Sequence, residues 1–111
     1  MLRDKETLLD IIVAVQKGLQ YTQNVNRDTL QKNDEKQAAV LYRLIIVGEA
    51  TKRLSIEFRE QHKNIPWKEM AGLRDVVIHD YDKIDFEILW NVIHINLPEI
   101  LPKLQAILNE L

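Results

Sequence analysis

Apolar side chains recur at steps of three and four along most of this chain, the spacing of a helix with one buried face. The first such stretch predicts a helix from Lys5 to Asn24, striped by Leu8, Ile11, Ile12, Val15 and Leu19. The polar segment NVNRDTLQKN then reads as a loop. Asp34, with Gln37 three residues on, has the form of a capping box and opens a second helix to about Gln61. Leu41, Leu44, Ile45, Gly48 and Leu54 define its buried side. Gly48 costs about 1 kcal/mol relative to alanine inside a helix, so its position implies close approach of another helix. HKNIP is the next break. Pro66 suits a first helical turn, where its missing N–H is not needed, and a short third helix is predicted from Pro66 to about His79. Tyr81–Lys83 form a turn, and Asp82 or Asp85 caps a fourth helix. That helix carries the stripe Phe86, Leu89, Ile93, Leu97, Ile100, Leu104, Ile107 and Leu111. Pro98 and Pro102 remove backbone donors from it and crowd the preceding turn, which predicts a kink or break near Asn96–Glu99. The pattern describes an all-α, antiparallel bundle of four main helices.

Length adds that 1–111 is expected to be a single domain, with enough chain to bury roughly two-thirds of its unfolded surface. There are no repeats, no low-complexity segment and no separating linker. The absence of cysteine removes disulfides and thiolate metal sites and fits a reducing, cytoplasmic setting. The apolar run Leu8–Val15 is too short to cross a bilayer and lacks a small-residue cleavage site, so it reads as a core helix with no membrane role. A net charge of −2 argues against general nucleic-acid coating. The distribution is uneven. Lys52, Arg53, Arg59, Lys63, Lys68 and Arg74 outnumber Glu57, Glu60 and Glu69 over residues 52–74, whereas residues 75–111 are strongly acidic. The basic stretch is either an ordinary solvated helix face or a patch able to attract a phosphate backbone.

The candidate chemistry lies where that basic stretch ends, in RDVVIHDY, Arg74–Tyr81. Arginine offers a planar fork of donors suited to a phosphate and to the added charge of a pentavalent transition state. Histidine can move a proton at neutral pH. On a continuous helix Arg74 and His79 stand about 140° apart, so they border one groove only if the helix ends near His79 or a second subunit completes the site. Asp75, four residues before His79, shares its face and is expected to orient the ring and favour its charged form, as is the helix C-terminus. An arginine and a histidine suffice in principle for RNA cleavage without a metal: a base activates the ribose 2′-hydroxyl and the arginine stabilises the charge that develops. The bland alternative is a salt bridge and a helix cap.

At these residues the chain resembles a known family. RDVVIHDY is similar to the R-x4-H-x-Y motif of HEPN-domain ribonucleases, in particular the HepT-like toxins paired with minimal nucleotidyltransferases. RLIIVGEATKRLS, NIPWKEMAGLRDVVIHDY and FEILWNVIHINLPEI look like the HepT pattern in order and spacing, over roughly residues 5–108. The resemblance implies a HEPN-like helical homodimer with the two motifs facing each other, and a metal-independent endoribonuclease with Arg74 and His79 as catalytic positions. It places Asp75 at the polar position after the arginine. It also implies a nucleotidyltransferase antitoxin that can adenylylate Tyr81 and so block RNA by bulk and charge. No cofactor is implied.

Lys52 and Arg53 are the candidates for further RNA contacts. No two histidines have metal-ligand spacing; His62 reads as solvated and His94 as a hydrogen-bonded core or interface residue. Trp67 and Trp90 read as packing anchors, and Glu49 as a structural ion-pair partner of Arg53 or Arg74. The rival to an RNA-cleaving toxin is a non-catalytic module of the same fold that binds nucleotide or presents substrate to a nucleotidyltransferase.

Overall fold

The computed structural model describes residues 3–111 and is all-α apart from one short hairpin. Its elements are α1 (Asp4–Tyr21), α2 (Arg27–Gln31), α3 (Asp34–Arg53), α4 (Ile56–Gln61), α5 (Trp67–Ala71) and α6 (Leu73–Val77). Strands β1 (Ile78–His79) and β2 (Lys83–Ile84) follow, then α7 (Phe86–Asn91), a π-helical turn (Val92–Asn96) and α8 (Leu97–Glu110).

The long helix α1 lies along α3 and α8, and α3 also carries α5 and α6 on its surface. The expected α1 stripe is the buried one: Leu8, Ile11, Ile12 and Val15 are inaccessible or nearly so, and Leu19 packs at the edge. On α3 the buried residues are Val40, Leu44, Val47, Gly48, Ala50 and Thr51, with Leu54 just past its end; Leu41 and Ile45, expected inside, are half-buried. On the last rod Leu89, Val92, Ile93, Leu97, Ile100, Leu104 and Ile107 face the core, while Leu111 is exposed.

Four breaks differ from the sequence expectation, each for a local reason. The loop after α1 holds a one-turn helix, α2, capped by Asn26, whose side chain accepts from Thr29 N at 2.8 Å. The cap of α3 is Asn33, accepting from Lys36 N at 2.9 Å, and not Asp34; Gln37 instead donates to the Leu30 and Gln31 carbonyls at the end of α2. The predicted second helix stops at Arg53 because Leu54 and Ser55 are extended and Ser55 starts α4, accepting from Phe58 N at 3.1 Å. Ser55 is held in turn by Asp4, which accepts from its backbone N–H at 2.9 Å and from its hydroxyl at 2.7 Å. Burial raises the Asp4 carboxyl, but the hydrogen bonds it accepts outweigh that and hold it below its ordinary value. The third helix breaks at Gly72 into α5 and α6 and ends at Val77, before His79.

The last rod stays helical throughout and is interrupted by a π-helical turn, not broken at the prolines. Its interruption starts at Val92, ahead of the prolines, where Leu97 N–H reaches back to Val92 O in the π-helical pattern. Pro98 falls in the first turn of α8 and Pro102 inside that helix; because the π-helical turn runs directly into α8, the missing donor and the ring of Pro98 act on the turn that Val92–Asn96 widens. Gly48 meets the expected close approach: a Cβ there would stand 3.2 Å from Ala71 O and 3.4 Å from Met70 O. The end of α5, and the break that leads into α6, are thereby seated against α3.

Candidate active site

The segment that carries Arg74, Asp75, His79 and Tyr81 runs from α6 into the hairpin, anchored from beneath by Leu73 and Val77. Arg74, Asp75, His79 and Tyr81 are all exposed. The helix ends at Val77 because three β-branched residues in a row, Val76–Ile78, favour extended backbone, and Ile78 adopts it. Ile78 pairs with Ile84 and His79 with Lys83. Asp80 and Tyr81 turn the chain with φ of 52° and 58°, and Asp82 N–H closes the turn on Asp80 O at 2.7 Å. Aspartate adopts the left-handed region more readily than most residues, whereas a tyrosine there is strained by about 1–2 kcal/mol. Tyr81 stands at the hairpin tip with 86% of its surface exposed.

His79 therefore lies on a strand and not on the last turn of a helix, which changes its partner. Asp75, expected to orient the ring, pairs with Arg74 at 3.5 Å. The carboxylate at the ring belongs to Asp85: its Oδ2 lies 3.3 Å from His79 Nε2. The ladder explains this. Asp85 N–H donates to Val77 O at 2.7 Å and extends the pairing one step past Ile84, so Asp85 is the diagonal neighbour of His79 on the same face. The other oxygen, Oδ1, accepts from Ile88 N at 3.1 Å and caps α7. Asp85 was legible in the sequence as a cap; the hairpin that brings it to His79 was hidden by the expectation of a helix through that residue. Arg74 and His79 thus sit in two local pairs, each with its own acid.

The other candidates fall at the edges of this arrangement. Lys52 and Arg53 are exposed in the last turn of α3, the helix that supports α5 and α6, and Lys52 pairs with Glu49 at 3.6 Å. Glu49 therefore meets neither Arg53 nor Arg74 in an ion pair. His62 is not solvated as expected; it is half-buried, with its ring 4.8 Å from that of Phe58. Trp67 is a buried anchor whose Nε1–H donates to His62 O at 2.9 Å. His94 is an exposed residue and not a core one, stacked on Trp90 at 3.7 Å with its Nδ1 3.1 Å from Trp90 O. Arg27 lies over the Phe86 and Trp90 rings and pairs with Glu87, which ties α2 to α7. Among the described residues, no group of three or more histidine or acidic side chains is placed to hold a metal ion. No helix there is long and apolar enough to cross a membrane.

A family model described as "Ribonuclease HepT-like" matches residues 11–107, which include the whole of this segment and almost all of the helical frame. The chain belongs to the HepT-like family. Among curated proteins, "Putative RNase MJ1380" of Methanocaldococcus jannaschii is 33% identical over 103 residues, covering 93% of this chain and 94% of that protein. "Probable ribonuclease HepT" of Thermococcus cleftensis is 32% identical with the same coverage of both chains. "Putative RNase TTE0752" of Caldanaerobacter subterraneus is 45% identical over 67 residues, 60% of each chain. No solved structure matches the chain. The HepT-like frame thus confirms the all-helical reading, and it presents the R-x4-H-x-Y residues on a helix–hairpin joint.

Proposed function

We propose that this HepT-like protein is a metal-independent endoribonuclease that acts as the toxin of a toxin–antitoxin pair, with Arg74 and His79 as its catalytic residues. The observation that carries the reading is the joint itself. One short stretch, fixed below by buried Leu73 and Val77, holds a guanidinium, an imidazole and a phenol out toward solvent. The ribonuclease names of its relatives support the same reading.

In the reaction, His79 takes the proton of a ribose 2′-hydroxyl. The 2′-oxygen bonds to the adjacent phosphorus, and the bond from phosphorus to the 5′-oxygen breaks. The departing 5′-oxygen takes a proton from a general acid or water, leaving a 2′,3′-cyclic phosphate and a 5′-hydroxyl. Arg74 stabilises the equatorial oxygens as charge grows on them. DNA, without the 2′-hydroxyl, is not a substrate.

The active form is a homodimer in which two motifs border one cleft. An open groove of about 1370 Å³ adjoins α6, and Val76, Ile56, Ile88 and Val92 give it an apolar wall that a second copy would cover. Lys52 and Arg53 supply further contacts to the RNA backbone. A nucleotidyltransferase antitoxin silences the enzyme by adenylylating Tyr81, whose exposed hydroxyl at the hairpin tip is open to a second protein. The added phosphate brings negative charge next to the site for an RNA phosphate and repels it.

The test is cleavage of cellular RNA by the purified protein in EDTA, with the product ends mapped. Wild type is expected to leave cyclic phosphate ends. His79→Ala and Arg74→Ala are expected to lose at least about a hundredfold in rate. Both should keep the wild-type melting temperature, since neither side chain is buried. Equal cleavage by both variants would remove the assignment. No cleavage by an unmodified wild-type protein that binds nucleotide would favour the non-catalytic module.

A further inference from the structure

The contact across the hairpin gives the His79 ring a defined orientation, and the inference from it rests on the ribonuclease reading only for the identity of the reaction. We infer that Asp85 is a positioning residue for His79: it holds the proton of the neutral ring on Nε2 and leaves Nδ1 as the nitrogen that takes the proton from the substrate.

A carboxylate has only acceptors, so the ring nitrogen facing it must be the N–H. That nitrogen is Nε2, 3.3 Å from Oδ2. In the neutral ring the other nitrogen, Nδ1, then carries the lone pair. No hydrogen bond to Nδ1 occurs among the described residues, and the side chain is 54% exposed. When Nδ1 accepts the 2′-hydroxyl proton, the imidazolium that forms still donates from Nε2 to Asp85, so its new charge faces a fixed carboxylate.

That carboxylate is not a loose surface acid. Its main-chain N–H is bound to Val77 O, and its Oδ1 is bound to Ile88 N at the start of α7. Only Oδ2 is left for the ring, and the Asp85 side chain is the more sheltered member of the pair, 33% exposed. The other charged groups nearby do not compete for Nε2. Lys83 is the strand partner of His79, Asp80 and Asp82 belong to the connecting turn, and Arg74 is taken by Asp75. The same carboxylate thus does two things at once: it starts α7 and it sets the tautomer of the ring.

Asparagine separates these roles. At a cap it serves about as well as aspartate, so Asp85→Asn keeps the bond from Ile88 N. With its oxygen held there, its amide NH2 faces the ring, and two donors cannot pair. Nε2 is therefore expected to give up its proton to Nδ1. Asp85→Ser keeps a cap but places no group at the ring.

The experiment is nitrogen-15 NMR of the histidine ring on the intact protein at alkaline pH, where the ring is neutral, beside RNA cleavage kinetics. Wild type is expected to show His79 protonated at Nε2 and bare at Nδ1. Asp85→Asn should show the opposite tautomer, Asp85→Ser a mixture. In the asparagine variant kcat should fall by about a hundredfold or more at little change in KM, with a melting temperature close to wild type. A wild-type ring protonated at Nδ1, or an Asp85→Asn ring with the wild-type tautomer, overturns the inference. So does an Asp85→Asn enzyme that cleaves at the wild-type rate. If wild type cleaves no RNA, the ribonuclease reading fails, while the ring spectra still decide whether Asp85 sets the tautomer.

Discussion

Asp4 shows how one side chain ties distant parts of this chain together. Its carboxylate, buried to 4% exposure, accepts two hydrogen bonds from Ser55, 51 residues away, and so fixes the start of α1 to the break between α3 and α4. Ser55→Ala removes the hydroxyl that serves both Asp4 and the Phe58 N–H. It should cost about 1–3 kcal/mol at neutral pH in urea denaturation. The sign of the pH dependence follows from the depressed Asp4 carboxyl. Stability from its charge is fully present above the ordinary range near pH 4 and is lost as pH falls through the lower folded value. The deficit of Ser55→Ala should therefore shrink in acid toward the cap contribution alone; a deficit that stays constant would contradict a charged, Ser55-bound Asp4. At this scale much of the candidate site was legible, because Arg74, His79 and Tyr81 are recognisable as residue types at a spacing. The partners of Arg74 and His79 were not. Asp75 was assigned to His79 by helical arithmetic, and the arithmetic failed because residue 79 is on a strand.

Among the elements, the α3–α5 contact has the narrowest tolerance. Alanine in place of Gly48 would ordinarily gain about 1 kcal/mol of helix propensity, but its Cβ would press on the Ala71 carbonyl at 3.2 Å. Gly48→Ala should yield less than that gain, and Gly48→Val should lose about 1–3 kcal/mol by overpacking, with denaturant midpoints as the readout. A stabilised Gly48→Val would mean that α5 is free to move off α3. Gly48 also shows which element features a sequence makes visible. A glycine amid helix formers asks for a neighbouring backbone, and one is there. The Leu54–Ser55 break gave no comparable signal, since the apolar spacing continues across it. The π-helical turn was expected only as a kink or break near Asn96–Glu99, and it lies just before, over Val92–Asn96, because a proline's missing donor and its ring act on the turn that precedes it.

For the whole molecule, the groove beside α6 is where self-association is expected to occur. Val76 is 46% exposed and Ile56 62% exposed, so an acidic side chain at Val76 is solvated in the isolated chain. In a dimer that covers this groove the same carboxylate would be buried without a partner, at a cost of several kcal/mol. Val76→Asp should therefore shift the protein to monomer in sedimentation velocity while leaving its helical circular dichroism unchanged, and it should depress RNA cleavage with it. A Val76→Asp protein that remains dimeric would place the interface elsewhere on the surface.

The sequence by itself determined the all-helical class, the stripes that became the core of α1 and the last rod, the tight approach at Gly48 and the segment proposed to carry the chemistry. Each of these depends on spacing or residue type within a turn or two, and such short-range information is written along the chain. Tertiary structure alone decided that the Asp80–Tyr81 turn folds β2 back on β1, and that Asp85 rather than Asp75 meets His79. It also decided that Asp4 holds Ser55. Those pairings follow from strand register and from packing between segments far apart in sequence, and neither quantity is a property of any local stretch.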